Sequence, residues 1–401
     1  MKIMFSVATY WPFQDGVAHV TKYLAEGLAG RGHEVYIYTS TGNQDRLDLP
    51  QKEIYNGVEI ERIRVYTRWP VRFKGLNSES NAVHYFNRIQ EINPDVLIVV
   101  CAQTWTLDWI VPYLERLKCK KIFYSHGFSA LKDKYNIKEE LKKKNLLGAY
   151  IEYRKKLYFQ SLYKVIEKFD KAIYISDIEK GYQYALEHGL KNGIILENAI
   201  EEQFLSNIMI HDNNKDETEE FQILCVANYN ENKNQKFLIR AFAKAKIGKS
   251  KVIFVGSSET SYLNDLMRVA TELLKDNPEK KIEFKVGLAR EDIYDLYRKA
   301  DIYVCTSRSE TFSLVLYEAA ATKMPVVSTT VGIAEKMDGI VLVRQESDLT
   351  NALESLYKDR ELREKYAEKI KAYVDKTKPR ISEKVFELEK ILEYLCKGDQ
   401  L

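Results

Sequence analysis

Residues 301–330 read DIYVCTSRSETFSLVLYEAAATKMPVVSTT. Two short apolar segments, DIYVCTS and PVVSTT, flank a stretch of helical character that is predicted to begin near Ser313 and to continue through Ala321. A strand, a helix and a second strand within about thirty residues are typical of a βαβ unit, in which the two strands are parallel. This stretch therefore predicts an α/β fold.

The same alternation continues in both directions along the chain. Segments such as VLIVV (96–100) and KVIFVG (251–256) are apolar without alternation, which indicates strands of a parallel sheet covered by helices on both faces. In the first half we predict strands at Lys2–Ala8, Glu34–Thr39, Val58–Val65, Asp95–Val100, Lys121–Ser125, Ala172–Ser176 and Ile194–Glu197.

A change of character near residue 210 divides the chain. The segment HDNNKDETEE (211–220) is polar and acidic, and strand–helix alternation resumes after it. We therefore predict two facing Rossmann-like, doubly wound domains with a deep cleft between them, at residues 1–205 and 206–378. Helical segments near 346–358, 360–373 and 382–396 close the chain, and residues 379–401 are expected to form a helix that crosses back to the first domain.

Composition excludes several classes of protein. The 401 residues carry a formal net charge of only +3, which gives no reason to expect a nucleic-acid partner. Five scattered cysteines without CxxC spacing favour a reducing cytosol. We expect neither a signal peptide nor a transmembrane helix, and the absence of a DxD-like pair at a strand end predicts no metal site.

Two carboxylates stand eight positions apart around the predicted helix start. Glu310 precedes the helix and Glu318 lies inside it, so the two are separated by roughly 12 Å or more. The amides of Thr311, Phe312, Ser313 and Leu314 lie between them and favour an anion. One carboxylate would hold sugar hydroxyls, the amides a diphosphate and the other carboxylate a ribose. The alternative is a helix-start charge and a solvated side chain.

The surrounding sequence favours the first interpretation. SETFSLVLYEAAATKMPVVSTTVGIAE (309–335) resembles the EX7E segment of the retaining family-4 glycosyltransferases of the GT-B fold, whose pattern is S-x-x-E-x-F-G-x-x-x-x-E-A-x-A-x-G-x-P-V-V. Ser313 and Lys323 stand where that pattern has glycine. By this resemblance, which covers almost the whole chain in order, Glu310 contacts the donor sugar and Glu318 the ribose. The positions that fit are Ser307, Glu310, Phe312, Glu318, Ala319, Ala321, Pro325, Val326 and Val327.

A second motif, VANYNENKNQKFLIRAF (226–242), follows the first strand of the second half. A lysine there stabilises the charge of a diphosphate leaving group, although it could equally be a solvated loop residue. The family pattern G-R-x-x-x-x-K-G is matched by Lys233, whereas Asn228 replaces its arginine and Asn234 its glycine. Either Asn228 supplies only a neutral hydrogen bond, or Lys236 or Arg308 takes over the missing charge.

Two strand-end motifs of the first half complete the predicted donor site. YWPFQDGVAHV (10–20) keeps one glycine, Gly16, of the family's Gly-Gly pair, and the resemblance makes it a donor-phosphate contact; the alternative is a plain turn. Asp15 would be repulsive there and is expected to face the acceptor or solvent. IFYSHGFS (122–129) places His126 at a strand end, where it is either structural or, by resemblance, a hydrogen-bonding group at the reacting sugar.

Two further segments resemble the family. In IILENAIEEQF (194–204), Asn198 and Phe204 fit the pattern, while Glu201 replaces an aspartate. In KVGLAREDIYDLYRKAD (285–301), the loop after Gly287 is expected near the nucleobase through its backbone groups.

The segment 132–169 contains eleven basic and five acidic residues and many tyrosines. It predicts either a solvated amphipathic helix or a face that meets an anionic membrane or a lipid-linked acceptor. Trp105 and Trp109 follow the VLIVV strand and either line an acceptor pocket or pack in the core.

The resemblance implies a retaining, metal-independent glycosyltransferase without a cofactor. It would move a sugar from a nucleoside-diphosphate sugar, with UDP favoured because it is the commonest donor nucleotide of the family, to a glycan or lipid-linked acceptor. The donor is expected mainly on the second domain and the acceptor mainly on the first. The expected role is cytoplasmic synthesis of bacterial cell-surface polysaccharide or glycoconjugate, with peripheral contact at the inner membrane face as a further expectation. The alternatives are a catalytically weak homologue that acts as a binding partner and a sugar-nucleotide epimerase of the same fold.

Overall fold

The computed structural model describes residues 1–13, 15–42, 49–66, 78–128, 130–131, 134–206 and 220–398. The chain forms two compact units, Met1–Asn198 with Ile381–Leu401 and Ala199–Arg380. The first boundary precedes the predicted one at 205 because Ile200 bridges to Arg380 and Phe204 packs on Tyr294 within the second unit. The predicted linker, 211–220, lies outside the described residues except for Glu220.

The first unit contains a sheet of eight described strands, in the order β3-β4-β2-β1-β5-β6-β7-β8. Every neighbouring pair is parallel except β3 and β4. The strands are β1 (Lys2–Ser6), β2 (Glu34–Gly42), β3 (Lys52–Tyr55), β4 (Val58–Tyr66), β5 (Val96–Val100), β6 (Lys120–Tyr124), β7 (Lys171–Tyr174) and β8 (Gly193–Ile195), and the helices are α1 (Gly16–Gly30), α2 (Ser78–Ile92), α3 (Trp105–Asp108), α4 (Ile137–Lys142), α5 (Leu146–Ile166) and α6 (Lys180–Glu187).

The antiparallel hairpin of β3 and β4 was not among the predicted elements. Its two-residue turn is Asn56-Gly57, and both residues have positive φ, 48° and 78°. An Asn-Gly pair between two β-type segments is a strong hairpin signal, because both residues tolerate the left-handed backbone that such a turn requires. The hairpin therefore adds an antiparallel edge to an otherwise parallel sheet.

The second unit repeats the α/β architecture with six described strands, in the order β11-β10-β9-β12-β13-β14, all parallel. This order is that of a Rossmann fold, so the predicted pair of doubly wound α/β domains is confirmed. The strands are β9 (Phe221–Val226), β10 (Ser250–Gly256), β11 (Lys280–Val286), β12 (Ile302–Cys305), β13 (Val326–Thr329) and β14 (Val341–Val343), and the helices are α7 (Gln235–Lys244), α8 (Ser261–Leu274), α9 (Arg290–Lys299), α10 (Leu314–Ala321), α11 (Glu346–Lys358) and α12 (Arg360–Thr377).

The last helix, α13 (Ile381–Lys397), belongs to the first unit and packs along α1. Its buried Leu388 and Leu392 face the unit's interior, and the Glu389 carboxylate binds Arg31 Nε at 2.7 Å and His33 Nε2 at 2.8 Å. The close approach of the two helices requires a glycine at Gly27 of α1, because a Cβ there would collide with Val385. The end of the chain is thus anchored by both apolar packing and an ion pair.

Candidate functional site

The candidate site of the second unit lies where the strand order reverses. β9 and β12 are neighbours in the sheet, although the loops that follow them are far apart in sequence. Lys233 follows β9 and Glu310 follows β12, and Lys233 Nζ lies 2.5 Å from Glu310 Oε1. Ligands of open α/β sheets bind at such a switch point, beyond the carboxyl ends of the strands. The structure therefore brings these two predicted residues into direct contact.

Hydrogen bonds join the two loops over several residues. Asn232 Nδ2 donates to the Ser309 carbonyl at 2.8 Å, and the Arg308 amide donates to the Asn232 carbonyl at 2.7 Å. Thr306 Oγ1 donates to the Lys233 carbonyl at 3.0 Å. These bonds fix the backbone on both sides of the Lys233–Glu310 ion pair, so the pair rests on a rigid platform rather than on two free loops.

Unused hydrogen-bond donors lie beside this ion pair. The amides of Thr311, Phe312, Ser313 and Leu314 donate no hydrogen bond within the described part of the chain. The buried Ser313 hydroxyl also lacks a partner among the described residues. Since α10 begins at Leu314, its positive dipole end lies at the same place. Four free amides, a hydroxyl and a lysine form a cationic, donor-rich surface that fits an anion such as a diphosphate.

The position of the loop that carries these amides is fixed by contacts of Phe312 and by the close approach of Gly332. The buried Phe312 ring stacks on Tyr317 at 5.5 Å, and its carbonyl accepts from the Ile333 amide at 3.3 Å. A Cβ on Gly332 would lie 2.8 Å from the Phe312 carbonyl oxygen, and φ at Gly332 is +52°. Only glycine fits this approach without displacing the loop.

Three positions at which the chain departs from glycine have left-handed backbone. Asn234, Ser313 and Lys323 have φ of 52°, 76° and 59°. The family pattern has glycine at these three positions, where the backbone is left-handed. This conformation costs a non-glycine residue roughly 1–2 kcal/mol. Asn234 tolerates it best, because asparagine visits this region more readily than serine or lysine. The substitutions leave the backbone path intact at a cost in stability.

Glu318 is not the solvated side chain of the alternative interpretation. It is buried on α10, and both of its carboxylate oxygens are bound. Oε1 accepts from Arg290 Nη2 at 2.6 Å, and Oε2 accepts from the Tyr297 hydroxyl at 2.9 Å. The sequence interpretation missed Arg290 and Tyr297, which lie on α9 just after the Gly287 loop.

Asn228 and its suggested substitutes have other partners. The exposed Asn228 accepts from the Ser257 amide at 3.1 Å through Oδ1. Lys236 pairs with Asp265, and the Arg308 guanidinium lies 3.9 Å from Glu231. Lys236 is thus paired with a carboxylate of the neighbouring helix α8, and Arg308 lies near a carboxylate of the loop that follows β9. The structure therefore assigns neither cation to the position of the missing arginine.

Gly287 follows β11 in a conformation that suits a backbone contact. Its φ is +63°, and its amide donates to the Gly256 carbonyl at 3.0 Å. Gly287 lies next to Ser257, whose amide donates to Asn228: a Cβ placed on Gly287 would lie 3.8 Å from the Ser257 carbonyl oxygen. The loops after β10 and β11 are thus adjacent at the same sheet edge.

In the first unit, Gly16 begins α1 and nothing described lies within 4 Å of a Cβ placed on it. Asp15 is exposed, in agreement with the prediction that it faces the acceptor or solvent, and it also has a local structural role. Its carboxylate accepts from the Val17 and Ala18 amides at 3.1 and 3.0 Å, and the Thr9 hydroxyl donates to it at 2.7 Å. Asp15 is therefore the N-cap of α1. Its hydrogen bonds to the helix amides explain an aspartate at this position without any ligand.

His126 follows β6, and its ring packs at a tilted angle on Tyr124 with the ring centroids 4.7 Å apart. Burial lowers the pKa of His126 to about 4, so the ring is neutral at pH 7. Its buried Nε2 has no hydrogen-bond partner among the described residues, which a satisfied structural histidine would have. Trp105 and Trp109, by contrast, are buried, with their ring centroids 5.2 Å apart in a tilted arrangement, so they pack in the core.

In the described ranges, no group of three or more His, Cys, Asp or Glu residues is arranged to hold a metal ion. None of the described helices has the length and apolar character needed to span a bilayer.

Comparisons with known proteins agree with this architecture. An uncharacterized glycosyltransferase of Methanocaldococcus jannaschii is 25% identical over 374 residues, which cover 87% of this chain and 86% of that protein. The structure of sucrose-phosphate synthase from Thermosynechococcus elongatus superposes with a TM-score of 0.75 at 14% identity, over 99% of each chain. Anabaena HepE, solved in complex with UDP-glucose, superposes with a TM-score of 0.69 at 16% identity, over 98% of this chain and 99% of that one.

Two family models cover the two halves of the chain. Glycosyltransferase Family 4 matches residues 14–184, and Glycosyl transferases group 1 matches residues 207–373. All six described strands of the second sheet fall within the second range, together with Lys233, Glu310 and Glu318. The chain therefore belongs to the family-4-like glycosyltransferases of the GT-B type.

Proposed function

We propose that the protein is a retaining glycosyltransferase that moves a sugar from a nucleoside-diphosphate sugar, with UDP as the favoured nucleotide, to a glycan or lipid-linked acceptor. The product would be a cell-surface polysaccharide or glycoconjugate. The observation that carries this proposal is the Lys233–Glu310 pair at the switch point, 2.5 Å apart, beside the amides of residues 311–314, which donate no hydrogen bond among the described residues.

The donor would lie along these groups in a fixed order. Lys233 and the amides of residues 311–314 would bind the diphosphate, because cations and free N–H groups stabilise the charge that develops on a leaving phosphate. Glu310 would accept sugar hydroxyls and Glu318 the ribose hydroxyls, while the Gly287 loop would contact the base through its backbone. A donor-phosphate contact of Gly16, a donor-sugar contact of His126 and a neutral contribution of Asn228 remain predictions from the family resemblance.

Structures similar to this one support the donor class. Anabaena HepE has been solved with UDP and with UDP-glucose. The E. coli trehalose-6-phosphate protein, which superposes with a TM-score of 0.70 at 11% identity, has been solved with UDP-2-fluoro glucose. At these identities the likeness establishes the fold alone, so UDP is proposed because it is the commonest donor nucleotide of the family that the sequence resembles.

The proposed mechanism relies on positioning and charge. We propose that no side chain forms a covalent bond to the sugar, and that the acceptor attacks from the face that the diphosphate leaves. The departing phosphate oxygen would take the acceptor's proton, and Lys233 with the amides would stabilise the diphosphate. The protein would then need no metal ion to neutralise the leaving group.

Donor turnover tests this mechanism. We expect UDP release from an α-configured UDP-sugar to depend on an added glycan or lipid-linked acceptor, to give an α-linked product by NMR and to persist in EDTA. A β-linked product would contradict retention, and loss of activity in EDTA that magnesium restores would contradict metal independence. Epimerised donor without UDP release would support the epimerase alternative, and binding without turnover the weak homologue.

We also propose that the protein meets the cytoplasmic face of an anionic membrane through α4 and α5. Leu146, Tyr150, Tyr153 and Leu157 are exposed at spacings of four, three and four residues, and therefore form one stripe on α5. Leu147, which is 60% exposed, adjoins Leu146 and extends the stripe into a larger apolar patch. The predicted segment forms two helices rather than one, and its first residues, Lys132 and Asp133, lie outside the described residues.

The charges near this stripe favour a lipid surface over an uncharged protein partner. Residues 142–144 and 154–156 are all basic and lie beside the exposed leucines and tyrosines. A helix with basic and apolar exposed faces binds anionic bilayers by inserting its apolar side chains while its cations contact the headgroups.

Vesicle sedimentation measures this contact. We expect the protein to sediment with phosphatidylserine-containing vesicles at low salt, and Leu146→Ser with Leu147→Ser to reduce the bound fraction at least ~5-fold because the inserted apolar area is lost. Leu273→Ser, at an exposed leucine of α8, is the matched control and should bind like the wild type. Absence of wild-type binding to anionic vesicles would refute the proposal.

A further inference from the structure

Arg290 is the first residue of α9 and lies between two carboxylates of the second unit. Its Nη2 lies 2.6 Å from Glu318 Oε1 on α10, and its Nε lies 3.2 Å from Glu201 Oε1. Glu201 comes from the segment that precedes β9, so the guanidinium joins three separate parts of the unit.

Aromatic side chains fix this guanidinium in place. Arg290 lies over the Phe204 ring, 5.1 Å from its centroid, and over the Tyr294 ring at 5.3 Å. The Tyr294 hydroxyl donates to Glu201. A guanidinium that is stacked on two rings and bound by two carboxylates has little freedom to adopt another rotamer.

The partners of Glu318 leave part of its acceptor capacity free. A carboxylate has about four lone-pair directions, and Arg290 and the Tyr297 hydroxyl use one on each oxygen. A buried carboxylate needs such partners, because its desolvation is otherwise costly. The bound carboxylate is therefore held in one orientation, with lone pairs left for a ligand.

We propose that Arg290 is a positioning residue for ribose recognition: held by Glu201 and Phe204, it fixes the Glu318 carboxylate so that its free lone pairs accept the 2′- and 3′-hydroxyls of the donor nucleotide. This inference rests on the proposed function, in which Glu318 is the ribose contact. It assigns a role to two residues of the IILENAIEEQF segment, Glu201 and Phe204, which reach the site only through Arg290.

The test compares UDP with 2′,3′-dideoxy-UDP by calorimetry. The wild type should bind UDP ~10-fold or more tightly than the dideoxy analogue, because a hydrogen bond to a charged group contributes about that factor. Arg290→Gln should bring this ratio close to one by weakening UDP alone, and Arg290→Lys should give an intermediate ratio because lysine keeps the charge without the planar fork. Arg298→Gln, on the same helix, is the matched control and should keep the wild-type ratio.

The outcomes separate this inference from the proposed function. If the wild type binds none of the nucleotides, the proposed function fails and the role of Arg290 fails with it. If the wild type binds both ligands equally, or Arg290→Gln keeps the wild-type ratio, the positioning role alone is overturned. Should Arg290→Gln melt far below the wild type, Glu201→Gln and Arg290→Lys decide the question, and an unchanged ratio in both refutes it.

Discussion

Replacement of Lys233 by methionine is expected to lower the rate of donor turnover by about 10²–10³-fold, the usual cost of removing one group that stabilises a developing anion. Methionine keeps most of the side-chain length but loses the positive charge and the N–H donors of the ammonium group. The loss also leaves Glu310 without the cation 2.5 Å from it, so a negative charge remains near the proposed diphosphate. Turnover is measured as UDP release under saturating donor.

Two control variants separate the contributions of this change. Lys244→Met, at an exposed lysine of α7 that pairs with Glu346, should keep wild-type turnover. The double variant Lys233→Met with Glu310→Gln removes both charges and should bind UDP more tightly than Lys233→Met alone, without recovering turnover. Wild-type rates in Lys233→Met would show that the diphosphate lies elsewhere.

Conversion of Glu310 to glutamine is expected to lower donor turnover by about 100-fold while UDP affinity changes less than about threefold. A sugar hydroxyl gains about 1.5–3 kcal/mol from a charged acceptor, and glutamine of the same shape offers a neutral one. UDP lacks the transferred sugar that Glu310 would contact. Its diphosphate would also meet one negative charge fewer in the variant, so the affinity for UDP should not fall. Steady-state kinetics and UDP calorimetry measure the two quantities.

Glu335→Gln is the matched control for this variant, because Glu335 is exposed in the turn next to the Glu310 loop. It should leave both quantities unchanged. A Glu310→Gln protein that loses UDP affinity in proportion to turnover would place Glu310 on the nucleotide rather than on the sugar.

The sequence predicted the architecture because each strand of a covered parallel sheet must be apolar on both faces, as VLIVV is. It also predicted that Lys233 and Glu310 follow strands. The sequence could not predict that Lys233 and Glu310 contact each other. They are 77 positions apart and meet only because β9 and β12 are neighbours in the sheet, and local sequence patterns do not determine strand order.

The Arg290–Glu318 pair shows a different limit. In AREDIYDLYRKAD (289–301), the sequence alone presents Arg290 as one charged residue among many on a surface helix. Its interior position depends on Phe204 and Glu201, which come from before β9 and have no fixed spacing to it. The Asn56-Gly57 hairpin, in contrast, carried a local signal and could have been predicted from the turn alone.

The most direct test of the donor site is calorimetric titration of the wild type and Glu318→Ala with UDP, GDP and ADP. We expect UDP to bind the wild type with micromolar Kd and the variant ~10–100-fold more weakly, since the ribose would lose hydrogen bonds to a charged acceptor. If none of the nucleotides binds the wild type at millimolar concentration, the donor site does not exist as described and the protein acts through another activity.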